Sequence, residues 1–286
     1  MFLLFPSELT VRTEPSGTDF APQVICGSAL GLAGRSRVIL LCHGYANSVD
    51  VARKSYSKFV DNFISQFPMA KPIDTDVFEF FWPGDEPYPG ISQLSYPFQI
   101  KNAKGTAILL AEYLINLPAP TTGEIELYLI AHSLGNRVAV ELLRLLIGGR
   151  GKLNLRGILM MAAAVPVDRV SAGGALHDAA LLMTQQFVLH SESDWVLKFA
   201  FRLGETAAAE GLMPHAVGQF GDPVGQWTTT KDMPNYGHSD YWPNPATSDM
   251  VARFFGLVAP NAIQRSYIPS YLPAPANKIA QNSISK

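Results

Sequence analysis

Ser133 stands in the string Ile130-Ala-His-Ser-Leu-Gly-Asn136, where an apolar strand-like run gives way to a helical pattern. A serine at that point can act as a nucleophile. A sharp turn out of the strand pushes its hydroxyl clear of the sheet. The free N–H groups and positive dipole end of the next helix then lie close to any developing oxyanion. Small residues are needed two positions to either side, because strand and helix backbones nearly touch at such a turn. Gly135 meets that need, and Ala131 departs from glycine by one methyl. A serine hydroxyl is a weak nucleophile, so a base must take its proton and an acid must orient the base. His238, in Tyr236-Gly-His-Ser-Asp-Tyr-Trp242, is the last histidine of the chain and the candidate base. Asp194, in His190-Ser-Glu-Ser-Asp-Trp-Val-Leu197, is the candidate acid. Together these three residue types perform acyl transfer.

The elements that must position them are written in the apolar patterning. The chain has 286 residues, of which 48% are hydrophobic and 16% charged, enough to build a sizeable core and too apolar for a disordered chain. Val38–Cys42, Val77–Trp82, Ile125–Ile130, Ile158–Ala164 and Phe187–His190 read as strands. Short runs that are apolar on both faces suit central parallel strands. Between them lie helical stripes. Val49–Phe67 carries Tyr56, Phe59, Val60, Phe63, Ile64 and Phe67 at helical spacing, Gln99–Asn116 gives a second stripe, and Leu134–Ile147 is apolar almost all round. Strand alternating with helix predicts an α/β fold with a mostly parallel central sheet flanked by helices. No internal repeat is present.

At this level the chain resembles the α/β-hydrolase superfamily. Within it, the chain is most similar to uncharacterised bacterial esterase- and lipase-like proteins. The matching residues are His43-Gly44-Tyr45 with Asn47, Trp82-Pro83-Gly84, His132-Ser133-Leu134-Gly135-Asn136-Arg137, Ser191 to Asp194, and Gly237-His238, and they span about Val38 to Phe255. The resemblance implies the order nucleophile, acid, base along the chain, which Ser133, Asp194 and His238 follow. It also implies an oxyanion hole made by the backbone N–H groups of Tyr45 and Leu134, with His43, Gly44 and Gly135 supporting the two turns. The implied activity is a serine carboxylic-ester hydrolase, needing no cofactor. One α/β-hydrolase domain over residues 1–260 is expected; the extended, Pro- and Gly-punctuated pattern of 1–35 suggests edge strands, and the rise in Pro and small polar residues marks a C-terminal tail over 261–286.

The same residues admit other readings. Asp168, Asp222 and Asp240 compete with Asp194 as the acid. His190 precedes the acid and so falls in the wrong order for the base, His132 reads as structural, and His177 and His215 read as surface or loop residues. No H-E-x-x-H or tight His/Cys/Asp cluster suggests a metal. The glycine-rich pieces lack a phosphate-loop pattern, so no nucleotide cofactor is expected. A net charge of −2 without a basic run leaves no footprint for nucleic acid. Two cysteines, Cys26 and Cys42, are too few for a disulfide scaffold. The start Met1-Phe-Leu-Leu-Phe-Pro6 lacks the basic residues of a signal peptide, and no apolar run is long enough to span a membrane, so a cytoplasmic location is expected. Nothing sets the oligomeric state. Pro83–Pro97, with Tyr88, Ile91, Leu94 and Tyr96, is placed to wall the site, and Tyr236, Tyr241 and Trp242 surround His238, while Trp195–Leu203 reads as the start of an amphipathic helix whose apolar residues serve ordinary core packing rather than a lid. A pocket so lined favours a small-molecule or lipid ester over a phosphorylated sugar. The alternatives are a phospholipase or lipase effector acting on membrane lipid, an inactive hydrolase-fold binding module, and a protein-interaction role for the tail.

Overall fold

The structure is a computed structural model that describes residues 7–12, 26–27, 35–68, 76–85, 92–118 and 123–257. Strands β1 (Ser7–Thr10), β2 (Cys26–Gly27), β3 (Arg37–Cys42), β4 (Val77–Phe81), β5 (Ile125–His132), β6 (Leu153–Met161), β7 (Gln185–His190) and β8 (Thr229–Asp232) form one sheet. Their order is β2-β1-β4-β3-β5-β6-β7-β8. Only β2 runs antiparallel, against β1; the other neighbours are parallel. The central strands β3 and β5 are buried almost along their length. This explains why β3 reads as a continuous apolar run, whereas β5 alternates over Ile125–Tyr128 before it is buried on both faces.

Helices cover both faces. α1 (Val49–Gln66) connects β3 to β4, α2 (Ser92–Ile115) connects β4 to β5, and α3 (Gly135–Leu146) follows β5. α8 (Pro245–Phe254) packs beside α1, and α2 packs beside α3. Phe59 and Phe63 of α1 meet Ile39, Leu41, Val77 and Ile130 of the sheet, so alternate strand residues face this layer. Ser48 caps α1 by accepting the Val51 N–H, and Asn244 caps α8 with Pro245 at the first helical position. Shorter helices, α4 (Val167–Val170), α5 (His177–Ala180), α6 (Arg202–Ala207) and α7 (Val217–Phe220), line the later connections.

Several boundaries differ from the sequence expectation. The fourth strand covers Leu153–Met161 rather than Ile158–Ala164. Ala162 turns left-handed at φ +44°, and the apolar residues after it are buried by packing outside the sheet. α2 starts at Ser92, not near Gln99, and runs through Pro97. A proline interior to a helix is costly, which is why the sequence pattern suggests a boundary there. Trp195–Leu203 was expected to open an amphipathic helix. It instead winds as a π-helical segment, Val196–Phe201, that runs into α6. Residues 261–286 lie outside the described residues, as do Tyr88 and Ile91 of the expected wall. Among the described residues, no helix is long and apolar enough to cross a membrane.

Candidate active site

Ser133 sits at the C-terminal end of β5, between the strand and α3. Its φ of +52° is a left-handed value that non-glycine residues seldom adopt, and such strain gathers at functional turns. The turn is braced on all sides. Ser133 N–H donates to Met161 O at 3.0 Å, and Ala164 N–H donates to Ser133 O at 3.1 Å. Asn136 Nδ2 donates to Ser133 O and to Met161 O, both at 3.1 Å. Asn136 therefore staples the elbow to β6, a task that local pattern alone does not reveal.

The close approach of two backbones explains the glycines. A Cβ on Gly135 would lie 2.4 Å from His43 O and 2.6 Å from Cys42 O. A Cβ on Gly44 would lie 2.7 Å from Ser133 Cβ. Ala131, by contrast, is fully buried in β5 between Cys42 and Met160. Gly135→Ala is expected to cost about 3 kcal/mol or more, the range of overpacking against backbone. Gly149→Ala, where an added Cβ meets nothing within 4 Å, is the matched control. Urea midpoints measure both; equal midpoints for the two variants would contradict the close approach.

The turn after β3 is held by the Trp-Pro-Gly stretch after β4. His43 stacks on Trp82 with ring centroids 5.6 Å apart, and Trp82 Nε1 donates to His43 O at 2.8 Å. His43 Nδ1 donates to Gly44 O at 2.8 Å, and its Nε2 accepts the Trp82 N–H at 3.3 Å. Those partners fix one neutral tautomer, and burial lowers the His43 pKa to about 4. Asn47 Nδ2 donates to Tyr45 O at 2.9 Å and Gly44 O at 3.2 Å. Ala46 N–H donates to Gly84 O at 2.7 Å. The backbone at Gly44 and Tyr45 is thereby fixed against Ser133. Leu134 N–H, at the head of α3, donates to no protein group among the described residues.

The structure brings Ser133, His238 and Asp194 together. His238 Nε2 lies 2.8 Å from Ser133 Oγ, and His238 Nδ1 lies 2.7 Å from Asp194 Oδ2. Asp194 is fully buried after β7, and its Oδ1 accepts the Leu197 N–H at 3.1 Å. Two further contacts seat the loop bearing His238. His132 Nε2 donates to His238 O at 2.7 Å, and Ser191 Oγ donates to Tyr236 O at 2.9 Å. Burial, together with the nearby His238, lowers the His132 pKa to about 3, so His132 stays neutral as this donor. The serine of the S-x-x-D string thus ties the loop bearing Asp194 to the loop bearing His238.

The other acids and histidines are placed elsewhere. Asp168 is exposed on α4. Asp222 accepts the Val224, Gly225 and Trp227 N–H groups, and Asp240 accepts the Gly237 N–H at 2.7 Å. His190 borders Gly221, His177 Nδ1 donates to Val170 O, and His215 packs edge-on against Phe220. Cys42 is buried, and burial pushes its thiol well above the ordinary range. Among the described residues, no group of three or more His, Cys, Asp or Glu is placed to hold a metal ion.

A cavity of about 510 Å³ opens over Ser133 and His238. That volume falls in the range of small-molecule sites. Tyr45, Tyr96, Phe201 and Trp242 supply its aromatic walls, while Val196, Leu197 and Ala200 come from the π-helical segment. No Asp, Glu, Lys or Arg lines it among the described residues. The expectation that Trp195–Leu203 is ordinary core packing is therefore only half met: Leu197 and Phe201 are buried, and they also face the cavity. Tyr236 and Tyr241 pack edge to face behind the His238 loop rather than lining the cavity.

Charges do gather behind the Tyr96 wall. Tyr96 OH donates to Glu205 Oε1 at 3.1 Å. Arg137, fully buried on α3, binds Glu141 at 3.1 Å and Glu210 at 2.9 Å. Burial raises the Glu205 carboxyl to about 7, against the opposing pull of Arg137 and the Tyr96 hydroxyl. A carboxyl with a raised folded pKa holds its proton more tightly when folded, so ionising it penalises the native state as pH climbs from about 4.5 through about 7. Glu205→Gln keeps an acceptor for Tyr96 and removes that penalty. Its stability gain over the parent is expected to be near zero at pH 4 and to reach on the order of 3 kcal/mol at pH 8. Urea unfolding at the two pH values reads it. A gain that does not grow with pH rules out a buried, reluctant carboxylate.

The parallel sheet and its strand-to-helix elbow define the α/β-hydrolase fold class. The chain belongs to the alpha/beta hydrolase family of unknown function DUF900, whose model matches residues 23–239. No curated protein matches the chain. Among solved structures it is similar to a putative hydrolase from Agrobacterium vitis S4, at 10% identity and a TM-score of 0.43, covering 78% of this chain and 88% of that one. It is also similar to an esterase/lipase from an uncultured bacterium, at 8% identity and 0.38, covering 78% and 76%. A third is the carboxylesterase CesB (YbfK) from Bacillus subtilis, at 10% identity and 0.36, covering 79% and 87%.

Proposed function

We propose that this protein is a serine hydrolase that cleaves carboxylic esters with an uncharged, apolar acyl group. The observation that carries the reading is the continuous relay from Asp194 through His238 to Ser133, opening on a cavity without charged walls. Ser133 Oγ attacks the acyl carbonyl carbon as His238 Nε2 takes the hydroxyl proton. The carbonyl π electrons move onto oxygen, and the Tyr45 and Leu134 N–H groups receive that negative charge. As the tetrahedral centre collapses, the C–O bond to the alcohol breaks and His238 returns the proton to the departing oxygen. Water, deprotonated by His238, then attacks the acyl-Ser133 ester and releases the carboxylic acid. Asp194 holds His238 in the tautomer with Nδ1 protonated, so that Nε2 is free to accept.

The geometry supports both oxyanion donors from the same side. Gly44, which has no room for a Cβ beside Ser133, brings the Tyr45 backbone against the nucleophile, and Leu134 starts α3. The test is labelling with a fluorophosphonate probe, followed by a series of nitrophenyl esters of rising acyl length. Labelling and a preference for uncharged acyl groups are expected. A folded protein that neither labels nor cleaves any ester would overturn the reading in favour of a binding module.

A further inference from the structure

One short segment supplies the inner wall of the cavity and an exposed apolar face. Val196, Leu197, Ala200 and Phe201 line the cavity. In the same stretch of chain, Trp195, Phe199 and Leu203 are 63%, 56% and 51% exposed. These three are spaced four apart, and the wider π-helical turn keeps that spacing nearly in line. Leu212 and Met213 extend the face, at 87% and 36% exposure. Arg202 Nε donates to Met213 O at 3.1 Å, and Met213 N–H donates to Thr206 Oγ1 at 2.8 Å, so this pair lies along the same segment. Single exposed apolar residues are ordinary on a soluble protein, but three large ones along one segment with two more from the turn hydrogen-bonded to it mark a contact surface.

The charges select the occupant. Lys198 is exposed and Arg202 half-buried within the face, and neither joins an ion pair among the described residues. The segment's own carboxylates are withdrawn from it. Glu205 is buried, and Glu210 is bound by Lys104, Arg137 and Arg169. Two exposed carboxylates stand at its margin, Glu192 three residues before Trp195 and Asp168 beside Gly211, while the cations Lys198 and Arg202 lie between the apolar side chains. A face of large apolar side chains with cations among them fits the headgroup–acyl boundary of an anionic lipid layer, the chains entering and the cations meeting phosphate. Lys198 Nζ lies over the Phe199 ring, 6.0 Å from its centroid, so a cation stands directly beside an exposed aromatic of this face.

We propose that this face docks the protein on an anionic lipid–water interface, from which its ester substrates are drawn. The proposal rests on the ester-hydrolase reading and adds where the acyl chains come from: the outer face of the segment meets lipid while its inner face receives one acyl chain over Ser133. The test is flotation of the full chain with vesicles of phosphatidylcholine, with or without phosphatidylglycerol, beside a Trp195→Ser, Phe199→Ser, Leu203→Ser triple variant. The wild type is expected to co-float with phosphatidylglycerol vesicles and the triple variant to lose roughly tenfold in partitioning, in proportion to the apolar area removed. Hydrolysis of a water-soluble short-chain ester is expected to be unchanged in the variant. No flotation of wild type, equal flotation on both vesicle types, or undiminished flotation of the variant overturns the docking surface. So does a wild-type dimer that the triple variant converts to monomer, which would make the face a contact between copies. Flotation by a protein that cleaves no soluble ester leaves docking standing and removes the hydrolase reading instead, so the two fail separately.

Discussion

Ser133→Ala is expected to abolish fluorophosphonate labelling and to lower kcat for ester hydrolysis by about a millionfold, the loss typical when one member of a catalytic triad is removed. The variant should fold. Ser133 and alanine both carry a Cβ, so the left-handed turn at φ +52° is neither relieved nor worsened. The Ser133 backbone bonds to Met161, Ala164 and Asn136 are also untouched. What disappears is the oxygen 2.8 Å from His238 Nε2, and with it the covalent route. A small residual rate over water, about 10³-fold to 10⁴-fold, is expected to survive because backbone donors and the cavity still bind the transition state of direct water attack. Thermal unfolding read alongside turnover separates lost chemistry from lost fold. A well-folded alanine variant that hydrolyses esters at the wild-type rate would remove Ser133 from the mechanism.

Candidate chemistry was legible in the sequence where it depended on local pattern. Ser133 is marked by a strand run, a small residue two places on, and a helix stripe, all within about twenty residues. Asp194 and His238 follow from residue type and chain order. The supports were not legible, because each joins segments far apart in the chain. His132 reaches the His238 carbonyl 106 residues away, Ser191 reaches Tyr236 across 45, and Tyr96 reaches Glu205 across 109. No periodicity encodes such contacts. Leu134–Ile147 reads as apolar almost all round, and α3 is buried accordingly, but the pairing that lets Arg137 and Glu141 be buried with it comes in part from Glu210, 73 residues from Arg137. The β6 boundary failed for a related reason. Ile158–Val165 is apolar throughout because it is buried throughout, but only its first part pairs with neighbouring strands. Burial and strand pairing coincide in the middle of a parallel sheet and separate at its C-terminal edge, where the site lies.

The proposed acid is the member of the proposed relay with the most rivals, and Asp194→Asn is the substitution that discriminates among them. Its expected effect is a fall in kcat of about ten-thousandfold with little change in fold. An asparagine at this position can keep Oδ1 as the acceptor for the Leu197 N–H, now at 3.1 Å. Its amide nitrogen then faces His238 Nδ1, where Asp194 Oδ2 now lies 2.7 Å away. A donor there requires His238 Nδ1 to accept, which shifts the proton to Nε2. The imidazole then donates toward Ser133 Oγ instead of accepting from it, and loses its capacity as a base without moving. Asp168→Asn, at an exposed position on α4, is expected to leave turnover within about twofold. Asp222→Asn removes a carboxylate that accepts three N–H groups, so its expected effect is on stability rather than turnover. Steady-state kinetics on a soluble ester, with a unfolding curve for each variant, reads all three. A ten-thousandfold loss in Asp194→Asn alone assigns the acid; an equal loss in Asp168→Asn, or near-normal turnover in Asp194→Asn, transfers the role elsewhere. Because Asp194 sits one residue before the segment whose two faces meet cavity and solvent, its backbone also anchors that segment: Lys198 N–H donates to Asp194 O at 3.1 Å. The substitution leaves this main-chain bond in place, so flotation on lipid is expected to persist in Asp194→Asn while turnover collapses, separating the chemistry of the relay from the placement of the wall beside it.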